Sequence, residues 1–105
     1  MIVNVLGTDY TIKVDSDYLK EQNADGVCKS YDKEIVIRED TDFLCPDDKA
    51  TTKKLRKKEV IRHELIHAFF SESGLDDYSS NEQLVDWLAS QFPKMLQAFK
   101  DTNAI

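Results

Sequence analysis

Hydrophobic and polar residues alternate over the first forty positions, which is the pattern of β-strands with one buried face. The segments with this pattern span residues 2–6, 10–15, 27–31 and 34–39. Gly7, Thr8 and Asp9 favour a turn between the first two segments, so we expect a hairpin there. Residues 16–26 are polar and favour either a short helical turn or a loop. The N-terminal part of the chain is therefore predicted to form a small, mainly antiparallel sheet.

The hydrophobic period changes to that of a helix after residues 40–50, which contain turn formers and a proline. Residues 51–73 contain neither Gly nor Pro, and Gly74 follows where a left-handed C-cap is expected. The expected apolar stripe comprises Leu55, Ile61, Leu65 and Phe69, flanked by Val60, Ile66 and Phe70. This segment is predicted to form a helix of about six turns.

A second helix is predicted after a short polar connection, with Ser79 or Ser80 as its N-cap. Its expected stripe comprises Leu84, Leu88, Phe92, Met95 and Phe99. Pro93 is expected to kink or divide this helix, because proline cannot donate a helical hydrogen bond. The sequence thus predicts an α+β fold in which a small N-terminal sheet packs on one long helix and a C-terminal helix. We expect one domain over residues 1–105, as the length indicates.

The chain carries a formal net charge of −6 and contains two cysteines, Cys28 and Cys45. No apolar run approaches the roughly 20 residues that a membrane helix needs, and residues 1–7 lack the features of a signal peptide. We therefore expect a cytoplasmic protein without a membrane partner. In a reducing compartment both cysteines are expected to be free thiols.

A basic segment interrupts the acidic chain, because residues 49–62 carry a net charge of +6. Its basic side chains include Lys53, Lys54, Arg56, Lys57, Lys58 and Arg62. They are interpreted either as a solvated half of the first helix or as a contact for an acidic partner or for the acidic N-terminal half of the chain. We expect no nucleic-acid partner, because the chain shows no aromatic or groove-reading element.

The chain's only two histidines, His63 and His67, are separated by four positions, and Glu64 follows the first. On a helix both imidazoles lie on one face, so both can reach a single Zn²⁺. Glu64 lies about 100° round the helix, within reach of a water on that metal. The alternative is a surface helix that holds two histidines by chance, but the helical, apolar context favours a metal site.

A catalytic zinc site normally takes three protein ligands, so a third is required. Glu72 lies about 140° from His67 around the same helix and is expected to point elsewhere. Glu82 is the better candidate, because a helical return past the turn could bring the start of the second helix beside the first. Asp86 lies one turn further and could accept the outer N–H of a ligating histidine. Ala89 leaves room for the two helices to approach.

The HExxH motif is followed by the pattern NExxxD. This arrangement resembles the gluzincins, the thermolysin-like clan of zinc metallopeptidases. The short spacing and small size are similar to minimal gluzincins and to the ImmA/IrrE-like peptidases of phages and mobile elements. The resemblance implies one zinc ion per chain, bound by His63, His67 and Glu82. It also implies that Glu64 is the general base and that Asp86 supports a histidine.

The chain departs from the larger gluzincins, which stabilise the oxyanion with a further histidine and a tyrosine. No third histidine is present, so we expect another group to take this role. Tyr78 is the first candidate. The alternatives are Tyr10, Tyr18, Tyr31 and Arg38. The missing histidine favours a narrow or regulated activity over general proteolysis.

The sequence therefore predicts a zinc metallopeptidase that hydrolyses peptide bonds with a metal-activated water and Glu64 as base. We expect a peptide or protein substrate to lie along an exposed sheet edge, at residues 34–39. The alternative is a non-catalytic, zinc-stabilised protein-binding module, although structural zinc needs no general base. A third interpretation is another zinc hydrolase, but types with three histidines or a Pro-Cys-x-x-Cys element do not fit this sequence.

Overall fold

The computed structural model describes all 105 residues, which form a four-stranded sheet and four helices. The strands are β1 (Ile2–Val5), β2 (Thr8–Val14), β3 (Gly26–Lys29) and β4 (Glu34–Ile37). The helices are α1 (Ser16–Glu21), α2 (Ala50–Glu72), α3 (Asp76–Ser79) and α4 (Glu82–Asp101). The predicted α+β class is confirmed.

The sheet has the strand order β1-β2-β4-β3. The predicted hairpin of β1 and β2 is an antiparallel pair, and β3 and β4 form a second antiparallel pair. They are joined through a parallel pair of β2 and β4, in which Ile12 lies opposite Ile35. A parallel pair requires a crossover connection, and α1 with β3 provides it. Asp15 caps α1, since its side chain accepts a hydrogen bond from the Tyr18 backbone N–H.

The prediction that residues 34–39 form the exposed sheet edge is wrong. β4 lies between β2 and β3, and three of its successive residues, Ile35, Val36 and Ile37, are at most 4% exposed. A run of consecutive apolar residues is typical of a strand that is buried on both faces, and such a strand lies inside a sheet. The edge on this side of the molecule is β3.

Helix α2 has nearly the predicted extent, since Ser73 is its C-cap and Gly74 follows with a φ of +71°. Its predicted apolar stripe is wrong in part. The side chains that α2 buries are those of Val60, Glu64 and Ala68. Leu55 is 68% exposed and Phe69 is 41% exposed, whereas Ile61 and Leu65 pack against the core. The helix packs through a face that includes a carboxylate, which a stripe of apolar residues cannot reveal.

The N-cap of helix α4 lies one residue after Ser80, the later of the two predicted N-caps. Asn81 is the N-cap, and its side chain accepts a hydrogen bond from the Leu84 N–H at 3.1 Å. Ser79 is instead the last residue of α3. The expected stripe is also wrong in part, because Val85 and Ala89 are the buried residues. Phe92 and Phe99 are 43% and 40% exposed, and Pro93 does not divide the helix.

The basic half of α2 contacts the acidic N-terminal part of the chain. The ion pairs join Lys53 to Asp48 at 2.9 Å, Lys57 to Asp40 at 2.6 Å and Arg56 to Asp25 at 2.8 Å. Asp25 is buried and also accepts a hydrogen bond from the Leu44 N–H. Asp25 therefore fastens both α2 and the preceding loop to the start of β3. Lys54 and Lys58 form the solvated part of the segment.

Glu72 fastens the other end of α2 to the sheet, and it points away from His67 as predicted. Its carboxylate accepts hydrogen bonds from Thr8 Oγ1 at 3.0 Å, Tyr10 Oη at 2.7 Å and Lys33 Nζ at 2.7 Å. The Lys33 and Tyr10 hydrogen bonds lower the pKa of Glu72 to about 2. Both ends of α2 are thus fixed on the sheet, with the HExxH motif between them.

Two predictions from composition can be compared with the structure. Cys28 and Cys45 are free, as expected. No helix combines the length with the apolar character that a membrane crossing requires.

Candidate metal centre

Helix α2 places His63 and His67 one turn apart on the same face. Their ring centroids are 4.8 Å apart, and their Nε2 atoms approach to 3.1 Å. At this distance, two unprotonated imidazole nitrogens would repel each other, because their lone pairs face one another. A cation or a proton between them removes this repulsion. The two nitrogens could therefore share a proton as a hydrogen bond or could both bind one metal ion.

Glu82 reaches the same place from α4. Helix α2 stops just before Gly74, the short helix α3 lies in the turn, and α4 then runs along α2 in the opposite direction. Glu82 Oε1 lies 2.9 Å from His67 Nε2, and its Oε2 lies 3.2 Å from His63 Nε2. The structure thus brings together the three residues predicted as metal ligands.

The separations between these donor atoms fit a zinc site. Two ligand atoms that are each about 2.0–2.1 Å from a tetrahedral ion lie roughly 3.3 Å apart. The nitrogen–nitrogen separation of 3.1 Å is close to that value, and so are the shortest nitrogen–oxygen separations of 2.9 and 3.2 Å, which involve the two different oxygens of Glu82. With one donor atom from each residue, all separations are within 4.8 Å. Two imidazoles and one carboxylate are also a donor set that catalytic zinc commonly takes.

The outer nitrogens of both imidazoles have polar partners. His63 Nδ1 lies 2.9 Å from Asp86 Oδ1, the contact predicted for Asp86. His67 Nδ1 lies 3.3 Å from Ser79 Oγ, whose hydroxyl donates to the His67 backbone carbonyl. When Nδ1 carries the proton, Nε2 is left with a free lone pair, which is the tautomer that a metal needs. Sequence reasoning missed the Ser79 contact and assigned this serine to a helix cap.

Glu64 is buried beside the ligands, with 6% of its surface exposed. Its Oε2 lies 3.8 Å from His63 Nε2. Burial, followed by the charges of Glu82 and Asp86, raises the pKa of Glu64 to about 8. The carboxyl groups of Glu64, Glu82 and Asp86 thus lie close together, and a divalent cation between them would favour their charged forms.

Gly26 allows β3 to lie directly on this part of α2. A Cβ at this position would lie 2.8 Å from Val60 Cγ1 and 3.1 Å from Glu64 Cγ. Any larger residue would therefore push the edge strand away from Glu64. Sequence reasoning missed this role. The available signal was a glycine directly before the predicted strand 27–31, because a glycine in a strand often marks a close approach of the backbone.

The centre opens into a cleft of about 310 Å³ between β3, α2 and the start of α4. Its walls include Gly26, Val27, Cys28, Ser30, Ser71 and Ser79, besides the histidines and Glu82. Burial, followed by the nearby Glu64 charge, raises the pKa of the Cys28 thiol to about 12. Cys28 is therefore protonated at neutral pH and forms a wall of the cleft.

The structure does not bring Tyr78 into this cleft. Its side chain is 53% exposed, and its ring packs 6.0 Å from that of Phe70. The other candidates are also engaged elsewhere. Tyr10 donates a hydrogen bond to Glu72, and the ring of Tyr18 lies beneath the Lys29 ammonium. Arg38 donates hydrogen bonds to the backbone carbonyls of Ala24 and Asp42. Tyr31 is 99% exposed and lines a neighbouring hollow that shares Ser30, Ser71 and Ser79 with the cleft.

Comparison of the chain with protein-family models, with curated proteins and with solved structures gives no match. The geometry of this centre and the resemblance of its motifs are therefore the grounds for a functional proposal.

Proposed function

We propose that this chain is a zinc-dependent metallopeptidase of narrow or regulated specificity. One zinc ion per chain would be held by His63, His67 and Glu82. The proposal depends above all on one observation, the convergence of three donor atoms beside a buried carboxylate. It is also supported by the order of the motifs, since HExxH and NExxxD supply those residues from two successive long helices.

Each residue of the centre has a distinct part in the proposed reaction. A zinc ion held by His63, His67 and Glu82 would polarise a peptide carbonyl and lower the pKa of a bound water molecule. Glu64 takes the proton of the attacking water and delivers it to the nitrogen of the departing amine. Asp86 and Ser79 hold the two imidazoles so that Nε2 of each faces the cleft. Burial of Glu64 strengthens its interaction with a nearby proton donor.

We propose that the substrate binds in extended form along β3. As an edge strand, β3 presents backbone N–H and C=O groups that no neighbouring strand satisfies. Gly26, Val27 and Cys28 of this strand also line the cleft. A peptide that adds to this edge would therefore carry its backbone past Glu64.

The alternative, a non-catalytic protein-binding module stabilised by zinc, accounts for the zinc ligands but does not explain why Glu64 is buried beside them. A carboxyl group that is desolvated and faces two other carboxylates is destabilising in its charged form. A structural zinc site gains nothing from such a group. A peptidase needs it, because the general base must lie within reach of the reacting water.

Glu64→Gln tests this proposal, since it keeps the shape of the side chain and removes its basicity. We expect the variant to fold and to bind zinc, but to lose hydrolysis by about 100-fold or more. The measurement is a comparison of the peptides that the two proteins release from a cell lysate. The control is Glu59→Gln on the same helix, which should cleave like the wild type. Equal cleavage by wild type and Glu64→Gln would contradict the proposed mechanism.

A further inference from the structure

Pro93 leaves one backbone carbonyl of α4 without its usual donor. In a regular helix the carbonyl of residue 89 accepts a hydrogen bond from the N–H of residue 93, and proline has no N–H. Ala89 is only 1% exposed, so solvent has little access to its carbonyl. A buried carbonyl without a donor destabilises the fold. Helix α4 therefore needs a donor from another element at this point.

Arg62 supplies this donor. Its Nε donates a hydrogen bond to the Ala89 carbonyl oxygen at 2.6 Å. Arg62 forms no ion pair with any carboxylate of the chain, so this contact is its polar link to the rest of the protein. Arg62 also directly precedes His63, which places the contact beside the metal centre.

Three of the polar contacts between α2 and α4 form an antiparallel ladder. They are His67 with Glu82 at 2.9 Å, His63 with Asp86 at 2.9 Å and Arg62 with the Ala89 carbonyl at 2.6 Å. The first two involve the groups of the metal centre, and the third does not. The Glu82 and Asp86 side chains are 64% and 69% exposed, so packing does little to fix them. Their positions depend on where α4 lies against α2.

We infer that Arg62 is a positioning residue that holds α4 in register through the carbonyl that Pro93 leaves open. The inference deepens the proposed function, because the register places Glu82 and Asp86 opposite the two histidines. Arg62 contacts no reacting group and acts through the helix it holds. Arg62 and Pro93 are accordingly a coupled pair, since the need for one is created by the other.

The coupling predicts a specific result for zinc affinity measured by isothermal titration with Zn²⁺. Arg62→Met keeps the apolar stem and removes the donor, so we expect about a 10-fold loss of affinity. In a Pro93→Ala background the N–H of residue 93 restores the helical donor. There Arg62→Met should change affinity by less than about twofold. The absorption spectrum of bound Co²⁺, which reports ligand geometry, should change in Arg62→Met and return towards that of the wild type in the double variant.

Lys58→Met is the matched control, since it removes the same charge one turn earlier on α2. It should leave zinc affinity within about twofold of the wild type. An equal loss from Arg62→Met in both backgrounds, or from Lys58→Met, would overturn the inference. If Arg62→Met fails to fold, the double variant should fold, and its failure to do so would also overturn the inference.

The outcome can be separated from that of the proposed function. If the wild type binds no zinc, the proposed peptidase is wrong. The wild type, Arg62→Met, Pro93→Ala and the double variant are then compared without metal. The readout is then the Nδ1–H signal of the His63–Asp86 contact in nitrogen-15 spectra at one fixed pH. Arg62→Met should lose this signal and the double variant should retain it. Identical signals in all four proteins would contradict a positioning role for Arg62.

Discussion

Glu64 shows most directly how a single buried residue can oppose stability while it lies beside a candidate metal centre. Its pKa is raised to about 8 by burial and by two neighbouring carboxylates, so its ionised form is unfavourable in the metal-free fold. Proteins keep such groups mainly where their chemistry requires them. The surroundings that destabilise the charge also place the carboxyl group beside the two histidines.

Tyr78 is the residue whose expected role the structure supports least, because its ring packs on Phe70 outside the cleft. We therefore expect Tyr78→Phe to change the rate of peptide hydrolysis by less than about twofold. Removal of an oxyanion donor would instead lower the rate by about 100-fold or more. Steady-state kinetics on one cleaved peptide would distinguish the two results. A loss of that size would restore Tyr78 to the reaction. Tyr31→Phe provides the matched comparison beside the cleft.

Glu72 sets an acid limit on stability. Its pKa is about 2 in the fold, against an ordinary value of 4.5. A lowered pKa stabilises the fold above pH 4.5, and this stabilisation is lost as the pH falls through about 2. The melting temperature of Glu72→Gln should therefore be lower than that of the wild type at pH 6, and the difference should shrink towards pH 2.

The control for this prediction is Glu21→Gln, an exposed residue near the end of α1. Its melting temperature should follow that of the wild type throughout the titration. A difference between Glu72→Gln and the wild type that stays constant from pH 6 to pH 2 would contradict the assignment of the lowered pKa to Glu72.

The sequence predicted which residues meet at the candidate centre better than it predicted the residues that hold them there. His63, His67, Glu82 and Asp86 meet as expected, because helical spacing determines which side chains share a face. The contact of Ser79 with a histidine could not be predicted, since it depends on how the turn after α2 folds back.

At the scale of elements, the approach of β3 to α2 determines the shape of the centre. Gly26→Ala would place a methyl group 2.8 Å from Val60 Cγ1. We expect overpacking to lower the free energy of unfolding by about 1–3 kcal/mol, as urea denaturation would measure. Added to Val60→Ala, which makes room, Gly26→Ala should be less destabilising than in the wild type. Equal destabilisation in both backgrounds would show that the close approach is unimportant.

Element extents were predicted well where local signals are strong and poorly where packing decides. The end of α2 follows from Gly74, whose positive φ suits a glycine. The buried faces of both long helices were predicted less well. Phe92 and Phe99 suggested a stripe on α4, yet the contact with α2 is made through the smaller Val85 and Ala89. Small residues allow the close helix approach that Glu82 needs to reach the histidines.

At the scale of the whole molecule, the centre depends on segments far apart in the chain. The strand order β1-β2-β4-β3 makes β3 an edge beside the cleft. This order could not be predicted, because hydrophobic alternation identifies strands but does not specify which hairpins join or in which direction. The parallel pairing of β2 with β4 is possible because α1 and β3 form a crossover connection between them.

Zinc binding by the intact chain tests the central claim most directly. Isothermal titration of chelator-treated protein with Zn²⁺ should give about one ion per chain. Glu82→Ala should lower the affinity by about 10-fold or more, because it removes a ligand, whereas its neighbour Gln83→Ala should not change it. No binding by the wild type, or unchanged affinity in Glu82→Ala, would contradict the account.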